Sequence, residues 1–161
     1  MAKFSWHTRA VPAELPVRQV YGFLFAPDGR VLIRVDGGKH SLPGGRPEPG
    51  ECGYVEVLRR ETFEEVTLDI TEPHYLGYQC VDDGVSPYAQ VRMAARISGV
   101  HAPEPDPDNG RTYLRLLVHP AKAGDLLNWG ETGHQQAVAA ANAAVAVLGL
   151  PQDGLPASGY L

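Results

Sequence analysis

The stretch Leu42–Leu68, LPGGRPEPGECGYVEVLRRETFEEVTL, decides how this chain folds and which chemistry it can carry. Its glycines and prolines build a tight loop that runs straight into a helix expected from about Tyr54 to Val66. On a helical wheel Val55, Leu58, Thr62 and Val66 fall on one side, while Glu61, Glu64 and Glu65 share the other. Carboxylates three and four positions apart on a helix are neighbours, so these acids repel one another unless something lies between them. A hard divalent cation removes that penalty, and an all-oxygen donor set suits Mg²⁺ or Mn²⁺ better than zinc. Arg60 sits one turn before Glu64 and can pair with it or with Glu56, holding a carboxylate ionised and aimed. The backbone at Gly44–Gly45 can approach closely enough for a carbonyl to join a metal shell. A merely solvated acidic face is the plain alternative. Against it, the acids share one arc and follow a loop that carries its own acid, Glu51. A cation so held, with open positions, can bind a diphosphate and polarise water for attack at phosphorus.

Outward from this stretch, residues 17–25 (VRQVYGFLF) and 30–35 (RVLIRV) read as strands joined by a Pro27-Asp28-Gly29 hairpin turn. Asp36-Gly37-Gly38 turns the chain again into Ser41–Gly45, SLPGG. Beyond the helix, residues 74–81 and 88–98 read as strands, and TYLRLLVHP gives another. The proline-rich, acidic run 101–110 reads as an exposed loop. A last helix is expected from a capping box, Thr132 with Gln135, and an Ala/Val run ending at Gly149. Residues 1–16 read as an irregular lead-in, 17–150 as one domain, and 151–161 as a loose tail. Strands, a helix, more strands and a helix make an α+β fold with a mixed sheet the natural class.

At 161 residues the chain has the length of one domain, and 43% hydrophobic content is enough for an ordinary core. A net charge of −5 argues against stable nucleic-acid binding, and no apolar run is long enough to cross a membrane. The N-terminal residues carry no apolar signal region, so a cytoplasmic protein is the expectation. Cys52 and Cys80 make no disulfide framework, and the six histidines show no metal-ligand spacing, although His40 lies just before the glycine- and proline-rich loop that starts at Leu42 and could touch a phosphate. Arg18, Arg34 and Arg92 fall on strands, where a polar sheet face explains each and a diphosphate contact is the alternative. Trp129 reads as core in preference to a base-stacking ring.

Residues 45–68 resemble the Nudix box, GX5EX7REUXEEXGU, where U is a bulky aliphatic residue. Gly45, Glu51, Arg60-Glu61, Glu64-Glu65 and Leu68 match it, and Leu-Pro-Gly and Glu48-Pro-Gly50 are typical companions. There are three departures. Eight residues separate Glu51 from Arg60 where the box has seven, Thr62 takes an aliphatic position, and Thr67 replaces a glycine. The inserted residue is expected around Cys52–Tyr54 and bears on how Glu51 sits against Arg60. Thr67 is expected to alter the exit from the helix.

The resemblance implies a Nudix-type α/β/α sandwich and a MutT-like hydrolase that uses Mg²⁺ or Mn²⁺. Its substrate would be a small-molecule nucleoside diphosphate derivative. Carried over residue by residue, Glu61, Glu64, Glu65 and Arg60 form the catalytic set, and Gly44, Glu61, Glu64 and Glu65 the metal set. Gly45, Glu51 and Arg34 are expected at the substrate. A general base outside the box would come from Glu104, Asp106, Asp108 or Glu131, and a box glutamate remains an option. A homodimer is expected from the resemblance alone. The competing reading is a catalytically silent nucleotide-binding or sensor module of the same fold.

Overall fold

The computed structural model describes every residue from Met1 to Leu161. Its centre is a parallel pair, β2 (Val17–Phe25) and β8 (Tyr88–Val100), in register from Gln19 opposite Gln90 to Phe25 opposite Arg96, with a bulge between Val17 and Gln19. Both strands are rich in β-branched and aromatic residues, which suit a sheet covered on both faces. All other pairings are antiparallel. Outward on one side lie β7 (His74–Asp82) and then β1 (Lys3–His7). On the other lie β3 (Val31–Asp36), β9 (Leu114–Val118) and β10 (Gly159–Tyr160). Three short strands attach off this path: β4 (Lys39–Ser41) on β3, β5 (Gly44–Gly45) on β2, and β6 (Leu68–Ile70) on β8.

Alternation along β2 sends side chains to opposite faces. Val20 and Leu24 pack with Val57, Leu58 and Val66 of helix α1 (Tyr54–Val66). Phe23 and Phe25 pack against the other layer, helices α2 (Pro120–Leu127) and α3 (Gly130–Ala146). Ala137, Ala140, Ala143 and Ala144 form the buried side of α3, and their small side chains let the helix lie close to the sheet. The result is an α/β/α sandwich, the α+β class expected. No helix is long and apolar enough to cross a membrane.

Four expectations need correction. The lead-in is not irregular throughout: Lys3–His7 forms β1, paired from Lys3 opposite Asp82 to His7 opposite Tyr78. The tail is not loose, because Gly159 and Tyr160 pair with Leu117 and Leu116, and Arg30 Nη1 donates to the Ala157 carbonyl at 2.8 Å. Helix α2 was not expected; it starts at Pro120 with the His119 ring accepting from the Ala121 N–H. Finally, α3 starts at Gly130 with no side-chain cap. The hydroxyl of Thr132 donates instead to Gln79 Oε1 at 2.9 Å, a tertiary partner that outcompetes the local capping box.

Candidate active site

Helix α1 and strand β5 bring the box residues together, and the glycines decide how closely. Gly44 has φ +150, and a Cβ there would lie 2.6 Å from the Tyr21 Cα, so only glycine fits. A Cβ on Gly45 would overlap the carboxylate of Glu61. The missing side chain is thus the seat of that acid. Gly44 donates its N–H to Glu65 Oε1 at 2.8 Å. Glu61 and Glu65 are therefore buried against β5, whereas a helical wheel assigns them to the solvent side.

Arg60 is the hub. Its Nε pairs with Glu51, Nη1 lies 3.0 Å from both Glu61 and Glu64 and 3.5 Å from Glu48, and Nη2 donates to the Arg46 carbonyl at 2.9 Å. Four acids thus address one guanidinium; burial acts to lower its pKa, and Glu51 and Glu61 together push it above its ordinary value. Glu51 reaches Arg60 despite the extra residue, which is absorbed at Cys52–Gly53 ahead of the helix. Its carboxyl is held below its usual pKa chiefly by the Arg60 hydrogen bond. Burial pushes Glu61 and Glu64 upward, and Arg60 opposes that in both. Glu56, the alternative partner weighed for Arg60, caps the Cys52 N–H at 2.8 Å instead.

Arg34 lines neither the cavity beside Tyr88 nor the one beside Tyr21. It pairs with the buried Glu65 and lies over the ring of Tyr113, 4.3 Å from its centroid. Tyr113 Oη accepts from Asn109 Nδ2 at 2.7 Å, which ties the 101–110 loop to this pair. Within the loop Asp106 is buried and accepts from the Asp108 N–H, so it anchors the turn. Asp108 is exposed, and its charge acts on both Glu61 and Glu64. Glu104 and Glu131 are exposed and make no hydrogen bond with the box acids.

The helix leaves through Thr67, whose φ of +52 is the left-handed value a glycine would adopt easily. Arg115 supports it, with Nη1 donating to the Val66 carbonyl at 3.2 Å, the Thr67 hydroxyl at 3.3 Å and the His101 carbonyl at 2.8 Å. Thr62, at the other departure from the box, is fully buried and its hydroxyl has no partner.

These elements and spacings match a known family. A sequence model of the NUDIX domain covers residues 15–140. The chain belongs to the NUDIX family. No curated protein sequence matches it. Among solved structures, this NUDIX chain resembles a Bacillus subtilis pyrophosphohydrolase at TM-score 0.54 and 20% identity, with 62% of each chain covered. A MutT protein from Bacillus halodurans gives 0.51 and 22%, covering 68% of this chain and 72% of that one. A C. elegans Ap4A hydrolase gives 0.55 and 16%, covering 82% of this chain and all of the other. At such identities the likeness is one of fold.

Two cavities flank the NUDIX box. One, of about 440 Å³, is lined by Arg18, Arg46 and Tyr88, with Arg18 over the Tyr88 ring at 4.6 Å. The other, of about 540 Å³, is lined by Tyr21, Arg92 and Trp129 among others, so Trp129 faces a cavity as well as the core. Gln19 borders both. Gln19 carried no signal in the sequence, because only strand register places it beside the box, and Arg46 lies within the box at a position its pattern leaves open.

Proposed function

We propose that the chain is a divalent-metal-dependent hydrolase that cleaves the diphosphate linkage of a nucleoside diphosphate joined to another group. The observation that carries this reading is the gathering of Glu48, Glu51, Glu61 and Glu64 on the single cation Arg60. That excess of acid is what a cation and a phosphate chain together would neutralise. The pyrophosphohydrolase, MutT and Ap4A hydrolase names of the structural neighbours belong to the same reaction class and support it.

The donor set fits a hard cation. It is all oxygen, and two of its carboxylates, Glu61 and Glu65, are buried beside the Gly44–Gly45 backbone. Glu61, Glu64 and Glu65, with the Gly44 carbonyl, would hold Mg²⁺ or Mn²⁺. When bound, such a cation offsets charge on the phosphate oxygens and acidifies an attacking water. Arg60 keeps the box carboxylates ionised and aimed. Asp108 is the loop acid whose charge reaches Glu61 and Glu64, and it is assigned the role of accepting the water proton. Arg18 and Arg46 line the neighbouring cavity and would face the phosphates.

One observation favours a silent nucleotide-binding module instead. Arg60 and Arg34 already address the box acids, and no three His, Cys, Asp or Glu side chains are grouped as a metal cage. Phosphate release decides between the two, measured with Mg²⁺ or Mn²⁺ over nucleoside triphosphates, ADP-ribose, nucleotide sugars and dinucleoside polyphosphates. Turnover that needs metal and falls by roughly 10²-fold or more in Glu64→Gln supports the hydrolase. Nucleotide binding without turnover supports the silent module.

A further inference from the structure

We propose that the 540 Å³ cavity behind Tyr21 selects a carbonyl-bearing nucleobase, with Gln19 and Arg92 as the specificity-determining donors. The inference rests on the nucleotide reading of the box and names which bases it takes.

Arg92 is only 2% exposed, yet no carboxylate faces it. Its Nε donates to Gln136 Oε1 at 2.7 Å, Nη2 to Gln90 Oε1 at 3.1 Å, and Nη1 to the Val91 carbonyl at 3.4 Å. A guanidinium has donors only, so each amide that meets it must present its oxygen. That single constraint orients every amide beyond it. Gln136 Nε2 then donates to Gln79 Oε1 at 2.9 Å, Gln79 Nε2 to Gln90 Oε1 at 2.9 Å, and Gln90 Nε2 to Gln19 Oε1. The last amide, Gln19, is left with its NH₂ group at the cavity.

The Gln19–Arg92 wall of the cavity is thus a donor surface, and Ser41 and Asn128 line it elsewhere. Arg92 and Gln19 offer N–H groups, and the rings of Tyr21 and Trp129 supply flat walls, with the Arg92 guanidinium 4.9 and 5.1 Å from their centroids. Tyr21 pairs in register with Gly44, so the cavity adjoins the box loop. A planar heterocycle attached to a phosphate chain on the box fits this arrangement. A ring carbonyl satisfies the donors, whereas an exocyclic amine in the same place sets donor against donor and leaves buried groups unpaired.

Inosine and adenosine nucleotides make this swap, the first carrying a carbonyl at C6 and an N1–H where the second carries an amine and an unprotonated N1. Calorimetry of IMP and AMP without metal, and kcat/KM for ITP and ATP with it, read the preference on the unaltered chain. The expected result is roughly tenfold or greater preference for inosine in both. Gln19→Glu keeps the oxygen that Gln90 bonds and replaces the outward donor with an acceptor, so it should abolish or reverse the preference. Equal affinity for IMP and AMP overturns the inference and points to an anionic group in the cavity instead. A preference unchanged in Gln19→Glu also overturns the role of Gln19. Metal-dependent turnover without base preference removes this inference alone, whereas IMP preferred over AMP without any turnover removes only the hydrolase. If neither nucleotide binds and none is turned over, both fail.

Discussion

Arg34 of β3 and Glu65 of α1 form an ion pair in which the acid is almost fully buried and the base keeps 22% of its side chain exposed. Glu65 also accepts the Gly44 N–H, so this carboxylate is shared between the scaffold and the expected metal set. Replacing Arg34 with Met leaves a buried charge without its partner. Stability without metal should fall by about 2 kcal/mol, less than a fully buried pair would lose because Arg34 is part exposed. Saturating Mg²⁺ should then raise the melting temperature of Arg34→Met more than that of the unaltered protein. Equal metal-induced shifts would remove Glu65 from the metal set.

Thr62 should be improvable. Its buried hydroxyl has no partner and it shares the buried face of α1 with Leu58 and Val66, so Thr62→Val removes an unsatisfied polar group at nearly constant volume. The expected gain is about 1 kcal/mol in denaturant unfolding, with unchanged slope. A loss would mean that the hydroxyl has a partner.

Arg115 replaces what glycine would do at the end of α1. Arg115→Met should cost about 2–3 kcal/mol, because the carbonyls of Val66 and His101 lose their donor in a buried place. Combining it with Thr67→Gly should recover part of that loss by relieving the positive φ. Additive or worsening effects in a double-mutant cycle would separate the two residues.

Asp28 sets a pH dependence at the other end of the sheet. Hydrogen bonds from the Arg30 guanidinium and N–H hold its carboxyl below its ordinary value of 3.8. A lowered folded pKa contributes stability that is complete above the unfolded value and lost as pH falls through the folded one. Asp28→Asn should therefore be less stable than the unaltered chain near about pH 6, and the gap should narrow as the pH is taken down below the ordinary value of 3.8. Urea midpoints across that range test this, and a gap that does not narrow in acid would refute it.

Much of this architecture was legible in the sequence. Residues 17–25 and 74–81 are dense in β-branched and aromatic side chains, and the box spacing placed α1 at Tyr54–Val66. Eight residues, PAKAGDLL, were too few for a periodic signal, so α2 went unread. Burial of Glu61 and Glu65 was invisible because the reason lies across space, in the absent Cβ of Gly45 and the N–H of Gly44. The amide chain on Arg92 draws Gln19, Gln90, Gln79 and Gln136 from β2, β8, β7 and α3, and no sequence spacing encodes that meeting.

The two ends of the chain also set where the molecule can be cut. Strand β1 covers the outer edge of β7, and β10 that of β9, so each terminus closes one margin of the central sheet. A fragment trimmed to the matched span, residues 15–140, would lack both strands and the last turns of α3. It would present two bare ladders of N–H and C=O groups to other copies of itself. The unit recognisable by likeness is therefore smaller than the folded unit, and the terminal strands are what shields the ladders of β7 and β9.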